Sequence, residues 1–225
     1  MIESEKLVIG KNVFIDETAS IKGLNGKAKS IIIGDNTFIG KNVQIICDEF
    51  EIGDYGKIHN HTTIHGYKGC KIGHNAWIGQ FTIIDCIGGT TIGNNCGIGA
   101  HSQLWSHIKF GDTLEGCRFN SSNELKIGND VWFVGHCIVY PIIAEDKSMA
   151  LAGSVVTNNM LSNVIYAGTP AKSISEKLGF QFQDHTIDDK HNKIINYLND
   201  FGEDFNRELK VVKTKEEINI NDKEK

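Results

Sequence analysis

The chain has 225 residues, a net charge of −5 and 40% hydrophobic residues. The acidic balance, with no dense Lys/Arg block before the tail, argues against nucleic acid as the main partner. No apolar run is long enough to span a bilayer and the N-terminus carries no signal-peptide hydrophobic stretch, so the expectation is a soluble, cytoplasmic protein with no membrane partner. Residues 1–8 lead in, and from Ile9 a period of six takes over. The aliphatic positions run Ile9, Ile15, Ile21; Ile33, Ile39, Ile45; Ile52, Ile58, Ile64; Ile72, Ile78, Ile84; Ile92, Ile98, Leu104; and Ile127, Phe133, Val139. An amphipathic helix needs apolar residues at i, i+3, i+4 and i+7, which this spacing does not supply.

Hexapeptide repeats of this kind belong to parallel β-helices, in which each aliphatic points into a central stack. Three hexads make one coil of three short strands, and equivalent positions in neighbouring coils lie roughly 4.8 Å apart. The 24 glycines against two prolines suit the many tight turns. The expected β-helix runs from about Ile9 to about Val156, with a final weaker coil at Ala144, Ala150 and Val156. Two stretches interrupt the period. Residues 22–32 insert a short loop, and residues 107–126 (HIKFGDTLEGCRFNSSNELK) insert a longer one after Leu104. Long excursions from a rigid scaffold are where function concentrates.

From Ser173 the periodicity changes. Residues 186–201 place Ile187, Ile194, Ile195, Leu198 and Phe201 near one helical face behind Thr186 as N-cap, and residues 209–220 are expected to form a strand ahead of a frayed end. The domain reading is therefore a β-helix domain over 1–174 and an extension over 175–225, helix then strand. Six cysteines, Cys47, Cys70, Cys86, Cys96, Cys117 and Cys137, form no CxxC pair and read as reduced repeat-core or turn residues.

Residues 127–174 contain IGNDVWFVGHCIVYP, then AGSVVTNNM, then IYAGTPAKSI. These segments resemble the closing part of hexapeptide-repeat acyltransferases, where the text runs roughly IGxxVWIG, AGSVVT, GxPAK, and in particular the branch of galactoside/maltose and xenobiotic acetyltransferases. The resemblance covers residues 9–174. It implies a left-handed parallel β-helix, a homotrimer, and acetyl transfer from acetyl-CoA to a hydroxyl or amine of a small acceptor such as a sugar or nucleotide sugar. The hand is not readable from the spacing, and the tail has no counterpart in the family.

Acyl transfer from a thioester needs a base for the acceptor's proton, and histidine suits the role because it titrates near neutral pH. The register narrows the nine histidines. Ile64, Ile84 and Leu104 occupy one position in three consecutive coils, so His65, Asp85 and Trp105 are expected on one edge, with His107 where the long loop departs. Family members carry their catalytic histidine shortly after this hexad, and His107 fits it best; His101 and His65 are the alternatives. Substrate contacts are expected from Asp85, Trp105 and His65. Asp85 orients either the acceptor or a histidine, or caps a turn; Trp105 is a sugar platform or loop packing. The HNHTTIH stretch suggests metal ligands, with His59 and His61 on one strand face. No cysteine or acidic set completes a zinc site, and no metal is expected.

For the coenzyme, the resemblance implies a pantetheine arm lying between adjacent subunits. Small residues Gly135, Ala152 and Gly153 would let it approach, Thr157 would contact it, and Lys172 would meet the adenosine phosphates or else be a solvated lysine. Trp77 and Trp132 precede core aliphatics and should face outward, against another subunit. A competing reading is a metal-binding coil like the γ-carbonic anhydrases, with His65, His101 and His107 as ligands, or an assembly scaffold without chemistry.

Overall fold

The computed structural model describes residues 1–109 and 111–205 and, for the tail, the backbone of 207–213 and 218–224. Two compact units divide the chain, Met1–Phe182 and Gln183–Lys225.

The first unit is the expected left-handed parallel β-helix. Three sheets form its faces, two of seven strands and one of nine. The hexad triplets stack in register on every face. On the first, Ile9 pairs with Ile33, then Ile52, Ile72, Ile92, Ile127 and Ala144 follow. The second and third faces stack the Ile15 and Ile21 columns in the same way, through Ala150 and Val156. The coil starts earlier and ends later than the hexads indicate, with the edge strand Ser4–Ile9 at one end and, at the other, Ile165–Gly168 paired with the edge strand Ala171–Ser173. Interior members such as Ile39, Ile58, Ile78 and Ile98 have no exposed surface, whereas Ile9, in the open first coil, is 43% exposed. Burying one such side chain contributes on the order of 1.5–3 kcal/mol, so the column of aliphatics is the main driving force for the coil.

The Ile-Gly pairs have a steric cause. A Cβ on Gly34 would lie 2.5 Å from the amide nitrogen of Asp54 and 2.6 Å from its Oδ1 in the next coil. The residue after the glycine bonds rung to rung: Asp35 N–H donates to Asp54 Oδ1 at 2.8 Å, His74 N–H to Asn94 Oδ1 at 2.8 Å, and Asn94 N–H to Asn129 Oδ1 at 2.9 Å. A side chain on the glycine would break this ladder.

Two of the three corners turn through left-handed backbone. Between the first and second faces Asn36, Asn75 and Asn95 take φ near +55° (55, 53 and 57), a conformation asparagine tolerates well. Between the second and third faces the equivalent residues are His61, Phe81, His101 and His136, with φ of 61, 57, 59 and 50. Their rings stack in sequence, with centroids 4.8, 5.0 and 4.9 Å apart and planes within 11° of parallel. This overturns the strand-face reading of His59 and His61. His61 is a corner residue, while His59 lies on the second face against Trp77, 4.9 Å between centroids. Burial lowers the pKa of His59 below the ordinary value, with help from Lys57. Trp77 and Trp132 do face outward, 42% and 44% exposed.

The early interruption is smaller than the spacing indicates. Gly23 and Gly26 bridge across a tight turn, and Ala28–Ile33 is already strand. The long excursion leaves as a hairpin, His107–Lys109 antiparallel to Asn120–Ser122, and Leu125–Ile127 rejoins the first face. Cys47, Cys70, Cys86, Cys96 and Cys137 are buried in the coil, and burial pushes the Cys96 thiol up to about 11.

In the second unit, the helix Ile187–Asp204 begins at Thr186, whose hydroxyl accepts from Asp189 N–H while the Asp189 carboxylate accepts from Thr186 N–H. That reciprocal cap satisfies two otherwise orphaned donors. The single strand expected over 209–220 is instead two antiparallel strands, Arg207–Lys213 and Ile218–Glu224, with 214–217 outside the described residues. Residues 221–224, expected to fray, continue the second strand, and residue 225 lies outside the description.

Candidate active site

The third corner, between the third and first faces, is where the long excursion departs. Asp85 ends the strand Ile83–Asp85 and pairs in register with His65 of the preceding coil. A residue one past the core aliphatic ordinarily points to solvent, as His65 does here. Asp85 instead has no exposed surface, because the chain folds Ser106 and His107 over it. Its Oδ2 accepts three hydrogen bonds: Ser106 N–H at 3.0 Å, Ser106 Oγ–H at 2.6 Å and His107 Nδ1 at 2.8 Å. Its Oδ1 is buried without a partner. A buried carboxylate is costly to desolvate, and a buried acceptor left unpaired costs about 1–3 kcal/mol more. Nothing in the aliphatic stack requires that expense, which marks the group as retained for another reason.

With Asp85 ionised, Nδ1 of His107 is the donor and the lone pair lies on Nε2. The His107 side chain is 21% exposed. It lines a recess of ≈ 200 Å³ with Trp105, Ile108, Ile138 and Tyr140. The Trp105 indole meets the imidazole edge-on, 6.0 Å between centroids and 72° between planes. The site thus combines an oriented imidazole, an aromatic wall and an aliphatic floor.

The sequence-derived candidates fall into three places. His65, Asp85, Trp105 and His107 gather at the third corner, where Thr157 also lies, one past the core residue Val156 in a later coil. Asp85 has no exposed surface and faces Ser106 and His107, an arrangement that suits orienting a histidine or holding the local turn better than touching an acceptor. Gly135, Ala152 and Gly153 lie at the second corner, where Gly153 N–H donates to the Gly135 carbonyl at 3.0 Å. Lys172 is exposed in a hairpin, paired with Ala167. His101, the alternative base, is stacked between Phe81 and His136 at the second corner, away from His107 in the coil. Among the described residues no group of three His, Cys, Asp or Glu is arranged to hold a metal ion. Sequence reasoning missed Ser106, which is buried and doubly bonded to Asp85; only its adjacency to His107 pointed to it. It also missed the corner stack, although His61, Phe81 and His101 stand one coil apart.

No protein-family model matches the chain. A stretch of 175 residues, 69% of the chain, is 27% identical to the bifunctional protein GlmU of Baumannia cicadellinicola subsp. Homalodisca coagulata and covers 36% of it. A stretch of 56 residues, 24% of the chain, is 39% identical to the galactoside O-acetyltransferase of Escherichia coli (strain K12) and covers 28% of it. The chain thus spans only about a third of the length of the curated relatives it matches. Among solved structures, a mutant of AntD, an N-acyltransferase from Bacillus cereus in complex with dTDP-4-amino-4,6-dideoxyglucose and coenzyme A, aligns with a TM-score of 0.52. That alignment is 18% identical and covers 88% of this chain and 91% of AntD. In its hexads and its coil the chain is similar to these relatives, and the fold is the one that AntD shares.

Proposed function

We propose that the protein is an acetyl-CoA-dependent acetyltransferase that acetylates a hydroxyl or amine of a sugar or nucleotide sugar, with His107 as general base. The observation that carries this reading is the 2.8 Å bond between His107 Nδ1 and the buried Asp85. It fixes the imidazole with Nε2 as proton acceptor, the arrangement in which a third group orients a base. The acceptor's O–H or N–H attacks the thioester carbonyl as Nε2 takes its proton. Collapse of the tetrahedral species expels the coenzyme A thiolate, which recovers that proton. Trp105 beside His107, and the exposed His65 two coils before it, are the residues proposed to contact the acceptor.

The likenesses support the reading of the donor. AntD binds coenzyme A and a nucleotide-linked amino sugar, and the galactoside enzyme acetylates a sugar. For this chain, Gly135, Ala152 and Gly153 leave room for an extended pantetheine arm, Thr157 supplies a hydroxyl, and Lys172 a charge for phosphate. These residues occupy different corners of one chain, which suits a site shared between the subunits of a homotrimer. The outward Trp77 and Trp132 would be covered there. Buried thiols without disulfides suit the reducing cytoplasm.

The test is a transfer screen with acetyl-CoA against amino sugars and nucleotide sugars, with His107→Ala as control. Turnover with one acceptor class, lowered by roughly 10²–10⁴ in the variant, is the expected result. Turnover that survives His107→Ala intact removes His107 from the chemistry.

A further inference from the structure

We propose that Ser106 is a positioning residue of the acetyl transfer, acting on His107 through Asp85. The inference rests on His107 being the base and names what holds it. Ser106 has no exposed surface. Its Oγ accepts from Gly88 N–H at 2.8 Å and donates to Asp85 Oδ2 at 2.6 Å. Its own N–H donates to the same oxygen at 3.0 Å. A hydroxyl has one proton, and a neighbouring backbone N–H forces this one to point away from it, toward the carboxylate. The direction of the hydrogen bond is therefore fixed by the Ile87–Gly88–Gly89 turn, whatever is bound at the site.

The consequence is geometric. Oδ2 is held by two donors from one residue, so the carboxylate cannot rotate to exchange its oxygens. Oδ1 remains buried and unbonded, and Oδ2 alone receives His107 Nδ1. Without the Ser106 hydroxyl, the unpaired Oδ1 would rotate toward the donors. The imidazole would then lose its single orientation and its preference for the Nδ1–H tautomer. Ser106 is buried and does not line the recess, so its effect reaches the reaction through the base.

The decisive measurement is the tautomer of His107 in histidine-labelled protein, read from nitrogen-15 shifts and assigned by the signals lost in His107→Ala. Wild type should show the Nδ1–H form. Ser106→Ala should show a mixture, and Ser106→Thr, which keeps the hydroxyl, should restore the single form. With the acceptor found in the screen, Ser106→Ala should lower kcat about tenfold and leave KM for acetyl-CoA unchanged, as loss of one hydrogen bond implies. In a His107→Ala background Ser106→Ala should cost nothing further. A folded Ser106→Ala protein with wild-type tautomer and kcat overturns the proposal; if Ser106→Ala does not fold, a Ser106→Thr protein with a mixed tautomer does so. Unimpaired turnover in His107→Ala alone overturns the base assignment, and the tautomer result then still decides whether Ser106 orients the ring.

Discussion

Asp85 shows how much one buried side chain can depend on its neighbours. Asp85→Asn keeps the shape but replaces a charged acceptor by an amide that offers one acceptor atom and two donors. Whichever atom takes the Oδ2 position, the ring of His107 is no longer held by a charge-assisted bond. Turnover is expected to fall by about 10²–10⁴, with coenzyme A binding little changed. Steady-state kinetics beside calorimetric binding of coenzyme A would show this; near-normal turnover would mean that the imidazole does not need its carboxylate. The pattern Asp85 to His107 was legible, because counting hexads places both on one edge. Burial of Asp85 was not, since it arises when the departing chain covers a position that is exposed at His65 and half-buried at Trp105 in the coils on either side. The corner histidines carry a similar lesson. His61, His101 and His136 look like candidate bases or ligands in one dimension, yet their rings are committed to one stack that includes Phe81.

At the scale of the element, the turn at Ile87–Gly88–Gly89 is what the site stands on. A Cβ on Gly88 would lie 2.2 Å from the Ser106 carbonyl oxygen and 2.4 Å from that of Asn123, both backbone atoms. Gly88 is therefore wedged between the two ends of the excursion, and no rotamer change can relieve the clash. Gly88→Ala should push the excursion outward and lengthen the Gly88 to Ser106 bond. The expected cost is about 1–3 kcal/mol of stability, together with a kcat loss that Asp85→Asn does not add to. Denaturant titration and kinetics on both variants and their combination measure it; full additivity would separate the turn from the dyad. Elements were read unequally from the sequence. The coil was legible because a six-residue period has one structural solution, and the capped helix because Thr186 and Asp189 carry their own start signal. The two tail strands were read as one because residues 209–220 contain no glycine or proline to separate them.

For the whole molecule, the expectations concern assembly and the distant end of the coenzyme. Light scattering should give three times the mass of the 24.9 kDa chain; a stable monomer at micromolar concentration would remove the shared site. Lys172 lies in a late hairpin, away in the chain from His107. A phosphate contact there would be equal in ground and transition states, so Lys172→Ala should raise KM for acetyl-CoA and leave kcat largely intact. The difference should shrink in high salt, because an exposed charge is screened within about 10 Å at 0.1 M. A fall in kcat with unchanged saturation would put Lys172 beside the chemistry instead.

The rung-to-rung ladder has a consequence for how such a protein can change. His74 bonds to Asn94 across 20 residues, and Asn94 bonds to Asn129 in the same manner across 35. The frame therefore measures position by stacking and ignores how much chain lies between two rungs. Doubling the length of a flexible loop costs only about 0.6 kcal/mol in closure entropy. Material can be added, removed or exchanged between residues 107 and 124 without renumbering a single core contact. The coil is a shelf with fixed spacing, and the excursion is the part on it that natural variation is free to replace. A graft of a foreign hairpin at that point should leave the coil folded while altering which acceptor is recognised.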